Sequence, residues 1–131
     1  VTACKLVHKY PDFFFGLTLL AAYPQKSSDI SFWTQTVLSI RGENDSLVTA
    51  EEIAAKAEFL PSALVINSLD DFPKDKGART VYYTIPGGNH ANFGHYGEQE
   101  GDGQATITRE EQISEMVEIM QKWFDAYNWD K

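Results

Sequence analysis

The stretch "TVYYTIPGGNHANFGHYG", Thr80 to Gly97, runs from an apolar segment into a loop of glycines, asparagines and aromatics, with His90 a few residues past the run. Thr80 to Ile85 is apolar without alternation. A continuous apolar run suits a strand covered on both faces, as in a parallel sheet flanked by helices. A bland loop does not need His90, and a packed core would not surround it with so much glycine. In open α/β sheets functional groups gather at the carboxyl ends of the strands, which is where this loop begins.

Working outward, two more runs have the same character, "GLTLLAAY" from Gly16 to Tyr23 and "TVLSI" from Thr36 to Ile40. The first ten residues, "VTACKLVHKY", predict a helix with Ala3, Leu6, Val7 and Tyr10 on one stripe, ended by Pro11. "TAEEIAAKAEFLP" predicts a second, with a capping box between Thr49 and Glu52 and Pro61 as its stop. In "TREEQISEMVEIMQKWFDAY", Thr108 and Glu111 form another capping box. Ile113, Met116, Val117, Met120, Trp123, Phe124 and Tyr127 then line one helical face. Residues 25–34 carry no firm helical pattern, and 62–78 read equally as a short extra helix or an irregular excursion.

The predicted class is therefore α/β, with three parallel strands alternating with helices in a single domain over residues 1–131. Such a sheet leaves the Gly16 strand as a bare edge, an aggregation hazard unless something pairs with it. The first helix is in register at residue 1 with no capping residue ahead of it. Together these suggest the second half of a larger sheet.

Composition narrows the function. Hydrophobic residues are 43% and aromatics 13% of 131 residues, enough to bury a real core. The formal net charge of −8 and the lack of a basic cluster argue against nucleic acid or an anionic membrane surface as a partner. Cys4 is the single cysteine, which excludes an internal disulfide framework and a cysteine-rich metal site. No secretory signal and no apolar run near the ~20 residues of a membrane helix is present. That bears on localisation only where Val1 stands near the true start of the protein, so localisation stays open.

The second strand runs into "IRGENDSLV", which places Asp45 a few residues past Ile40, as His90 lies a few past Ile85. Neighbouring parallel strands would bring both to the same rim. A carboxylate there can accept from one imidazole nitrogen, fix its tautomer and stabilise the imidazolium.

These residues carry a resemblance. "VLSIRGENDSLVTAEEI", "VYYTIPGGNHANFGHYG" and "GDGQATITREEQ" make the chain resemble the C-terminal half of an α/β-hydrolase, in the dienelactone-hydrolase-like esterase and lipase branch. The fold implied is the C-terminal part of a doubly wound, mostly parallel sheet flanked by helices. In that family the triad acid follows the penultimate strand as G-x-x-D, matched by Gly42 to Asp45. The histidine follows the last strand as G-G-N-H, matched by Gly87 to His90. The chain order of acid before histidine also fits. The resemblance implies catalytic roles for Asp45 and His90 in hydrolysis of small-molecule ester or similar acyl substrates, with no cofactor.

The nucleophile elbow G-x-S-x-G is missing, since none of the serines sits between suitably spaced glycines. Because the elbow turns directly into a helix, Val1 is expected to lie just downstream of it. The chain alone is then expected to be inactive.

Rival readings attach to several residues. Asp45 could be a solvated turn carboxylate and His90 a surface loop histidine. Phe93 and Tyr96 either line a substrate pocket or simply pin the loop. His90 and His95 with Asp102 could suggest a metal, but the spacing matches no helical or zinc-finger pattern, so none is expected. Cys4 reads as a small buried hydrophobe, His8 as surface, and Glu98 to Asp102 as a solvated acidic loop. The rival in function is a non-catalytic half-domain whose open edge pairs with the remainder of the sheet or with another copy.

Overall fold

The computed structural model describes residues 2–73 and 79–127. Four strands form one sheet, β1 (Gly16–Leu20), β2 (Thr36–Gly42), β3 (Ala63–Val65) and β4 (Arg79–Ile85), in the order β1-β2-β4-β3. Every pairing is parallel. Three helices accompany them, α1 (Thr2–Lys9), α2 (Ala50–Ala55) and α3 (Arg109–Tyr127). The parallel α/β class expected from the continuous apolar runs is the observed one, and the Gly16 strand lies at one edge.

Successive strand residues point to opposite faces. Leu38 and Ile40 of β2, with Val81, Tyr83 and Ile85 of β4, pack on Ile119 and Trp123 of α3. Val37 of β2 and Leu19 of β1 pack instead with Cys4 and Val7 of α1, Ile30, Trp33 and Leu60. The helices α1 and α3 therefore cover opposite faces. Between β1 and β2 the chain makes a tight turn at Lys26–Ser28 and a second one closed by the Trp33 N–H on Ile30 O at 2.9 Å, and the apolar residues Ile30 and Trp33 serve as core. The Trp33 indole N–H is satisfied by the Pro11 carbonyl at 2.9 Å.

Four expectations are corrected. First, the ambiguous stretch 62–78 holds a fourth strand, β3, and a tight turn at Leu69–Asp71, while residues 74–78 lie outside those described. β3 extends the sheet through backbone bonds at its two ends, Thr80 N–H to Ser62 O at 2.7 Å and Ile66 N–H to Tyr82 O at 3.1 Å. Second, the α1 stripe is rotated. Cys4 and Val7 are buried while Leu6 and Tyr10 are 45% and 49% exposed, because the helix meets the sheet along a narrow line. Third, α2 stops at Ala55. The Lys56 N–H reaches both Glu52 O and Ile53 O, and Ala57–Phe59 follows as a tighter turn. Pro61 then holds Leu60 extended, at φ −122° and ψ 159°.

The fourth correction concerns α3. Its buried line runs through Gln112, Ile119 and Trp123, with Met116 and Met120 packed beside it, whereas Val117 and Phe124 are about half exposed. Gln112 and Ile119, both fully buried, lie outside the stripe expected from the sequence. Ile119→Ala should lower the unfolding free energy by about 2–5 kcal/mol, the usual cost of emptying a packed aliphatic site. Val117→Ala should change it by no more than about 0.5 kcal/mol. Denaturant unfolding followed by tryptophan fluorescence checks both, and equal losses would mean the helix faces the sheet differently.

Candidate active site

The loops after β2 and β4 meet at the carboxyl rim of the sheet. They do so through backbone, before any functional side chain is involved. The Glu43 N–H donates to Ile85 O at 3.0 Å and the Asn44 N–H to Gly88 O at 2.7 Å, while the Glu43 carboxylate accepts the Gly87 N–H at 3.0 Å. Contact this close requires the absence of side chains. A Cβ on Gly42 would stand 2.5 Å from the Gly88 carbonyl carbon, and one on Gly88 would stand 2.9 Å from the Gln112 amide oxygen. Both glycines of the sequence motifs are thus steric requirements.

On this base Asp45 and His90 come together. The His90 Nδ1 lies 2.8 Å from Asp45 Oδ2. A carboxylate can only accept, so Nδ1 is the donor and Nε2 is the ring nitrogen left for proton exchange. The Asp45 side chain is fully buried and that of His90 is 28% exposed. The other carboxylate oxygen, Oδ1, accepts from the Leu47 and Val48 N–H groups at 2.9 and 2.8 Å, which fixes the carboxylate plane. Arg41 Nη2 donates to the Asp45 carbonyl at 3.3 Å. Just beyond, the Thr49–Glu52 capping box starts α2, and Tyr23 donates its hydroxyl to the remaining oxygen of Glu52 at 2.8 Å. That bond is the main reason the Glu52 carboxyl sits below its ordinary range.

The histidine loop is held by residues that sequence reasoning did not assign to it. Gln112, fully buried on α3, makes a two-point clamp on Asn89. Its amide oxygen accepts the Asn89 N–H at 3.0 Å and its amide nitrogen donates to the Asn89 carbonyl at 2.8 Å. Asp102 accepts from the N–H groups of His90 at 3.1 Å, Ala91 at 2.9 Å and Gly103 at 2.9 Å. Asp102 is therefore a cap on the turn after His90 and departs from the expected solvated loop. All three of these bonds are to backbone donors. Gly103 beside Asp102 is a steric requirement, since a Cβ there would collide with the Asn44 carbonyl.

Phe93 packs against the α3-side core and pins the loop, whereas Tyr96 is 71% exposed on it. His95 is exposed as well. Cys4 is buried in the α1-side core, where burial pushes its thiol up, away from nucleophilic character. His8 is exposed, with Nδ1 2.6 Å from the Asp29 carbonyl. Among the described residues no group of three or more metal-binding side chains converges, and no helix is long and apolar enough to cross a membrane.

A parallel sheet flanked on both faces, with a buried carboxylate and an imidazole joined at its carboxyl rim, defines an α/β protein of hydrolase type. A family model described as the alpha/beta hydrolase family matches residues 1–114, and the chain belongs to that family. Comparisons with curated proteins and with solved structures found no match.

Gln112→Leu would strip both partners from the half-buried Asn89 peptide groups. It should cost about 2–4 kcal/mol, the sum of two unsatisfied groups. A thermal melt measures this. Gly42→Ala should part the two loops, and its imidazole Nδ1 proton should exchange with water faster than in the wild type by NMR. An unchanged proton would mean that the glycine contact does not set the Asp45–His90 distance.

Proposed function

We propose that this chain supplies the acid and the base of a Ser-Asp-His triad that hydrolyses small-molecule ester or similar acyl bonds, in the manner of the dienelactone-hydrolase-like esterases and lipases. The observation that carries the reading is the 2.8 Å contact between His90 Nδ1 and a fully buried Asp45 carboxylate. A loop histidine held this way has one tautomer and one orientation, which a surface histidine does not need.

In this reading a nucleophile on a G-x-S-x-G elbow, absent from the sequence, attacks the acyl carbon. His90 takes the nucleophile's proton on Nε2 and returns it to the leaving group. Asp45 keeps Nδ1 protonated and offsets the charge of the imidazolium that forms. No cofactor is needed, because every proton has a named carrier. The oxyanion that develops would be stabilised by N–H donors near the nucleophile. Tyr96, exposed on the histidine loop, remains the candidate for substrate contact, while the packing of Phe93 supports a structural role. A non-catalytic, edge-pairing half-domain would leave the carboxylate–imidazole pair without purpose.

The test uses a protein in which this chain is joined to its nucleophile. His90→Ala and Asp45→Asn should each lower kcat for an activated ester roughly a thousandfold or more, with the melting temperature nearly unchanged. Near-normal turnover by His90→Ala would remove the histidine from the mechanism. The 131-residue chain alone should show no ester turnover and no labelling by a serine-directed phosphonate.

A further inference from the structure

A second feature lies on the α1-side face of the sheet, beneath α2, and owes nothing to the catalytic reading. There a cleft of about 300 Å³ opens between α2 with its following turn and the strands β2, β4 and β3. Its walls are apolar: Ile53, Ala54 and Ala57 on one side, Ala63 and Val65 on the other. The size is at the lower end of small-molecule sites, too narrow for a helix or a folded partner. The small alanine side chains are what keep it open.

Two polar residues stand in this wall with atoms that have no hydrogen-bond partner among the described residues. Arg41 and Tyr82 both line the cleft, and Arg41 Nε and Tyr82 Oη are buried without a hydrogen-bond partner. The strand register sets Ser39 of β2 beside Tyr82 of β4, so Arg41, two residues on, is their diagonal neighbour on the same face. The other end of the guanidinium is satisfied by carbonyls alone, those of Glu43 and Asp45 at 3.5 and 3.3 Å. In a chain of net charge −8, Arg41 makes no ion pair with a carboxylate among the described residues. Burial also holds the Tyr82 hydroxyl above its ordinary range, so it stays a neutral donor.

A buried donor left without an acceptor is destabilising, so two of them on one face of one cleft are retained against a gradient. Both are donors and call for an oxygen acceptor, and the positive charge of Arg41, with no carboxylate partner among the described residues, favours a negatively charged one. The apolar walls specify the rest of the ligand. We propose that the cleft under α2 binds a small monocarboxylate with an aliphatic tail, its carboxylate on Arg41 Nε and Tyr82 Oη and its tail against Ile53, Ala54, Ala57 and Val65. Such a ligand meets the guanidinium one residue shell from Asp45, yet it sits on the sheet face and away from the rim where His90 stands.

The experiment is a titration of the full chain with octanoate and, separately, with octan-1-ol, which keeps the tail and drops the charge. Calorimetry gives the affinities, and amide shifts map the site. Octanoate should bind at least tenfold tighter than octanol, with shifts confined to β2, β3, β4 and α2. Tyr82→Phe removes only the hydroxyl and should weaken octanoate about tenfold, as expected for one charge-assisted hydrogen bond. Ala54→Phe, at an exposed helix position, fills the cleft and should abolish binding while the melting temperature holds. Arg41 is left intact because it also supports the Asp45 loop. Failure of octanoate to bind, equal binding of octanol, or octanoate binding unchanged in either variant would overturn the proposal. None of these outcomes bears on ester turnover.

Discussion

The structure depends on one close approach, that of the Gly42 and Gly88 backbones at the carboxyl rim. The hydrogen bond from the Asn44 N–H to the Gly88 carbonyl, 2.7 Å long, is possible only because Gly42 has no side chain to strike the Gly88 backbone. Everything functional at the rim follows from it. With the backbones that near, a short aspartate on one loop can reach an imidazole on the other, and the carboxylate can be buried and still have partners for both oxygens. A larger residue at Gly42 would push the two loops apart, and one at Gly88 would push the histidine loop off Gln112.

The approach is supported from behind. Gln112 reaches from α3 into the histidine loop, and Asp102 caps the turn that follows His90. The same helix places Ile119 and Trp123 on the sheet, so the apolar core and the polar clamp share one rigid element. This coupling gives a packed helix a direct role in the geometry of the base, since a shift of α3 would be felt at Asn89 before it was felt at His90. It also explains why a glutamine is wholly buried here: each polar atom of its amide has a backbone partner, which offsets the cost of leaving water.

The two faces of the sheet differ in how completely they are filled. Against α3 the core is continuous. On the other face α1 covers the β1–β2 side, while the short α2 and the small alanines near β3 leave a cleft into which Arg41 and Tyr82 project unsatisfied atoms. The early end of α2 is the cause. A helix carried on to Pro61 would have brought more side chains over β3 and β4, and the turn at Ala57–Phe59 carries the chain away instead.

The strands β1, β2 and β4, the parallel class, both capping boxes and the pairing of Asp45 with His90 are legible in the residues alone. These are local signals: unbroken apolar runs, a threonine three residues before a glutamate, and glycines at fixed offsets from a titratable group. The sequence did not reveal β3, whose Ala63, Leu64 and Val65 are all exposed and so carry no burial pattern; that strand exists because β4 offers it free backbone groups. It did not determine the true faces of α1 and α3, because several apolar residues on each helix allow more than one stripe and only the shape of the opposing sheet selects one. Nor did it mark Gln112 and Asp102, polar residues far along the chain from His90. Their partners are backbone groups, which every residue possesses, so only the tertiary structure decides which of them a buried amide or carboxylate will meet.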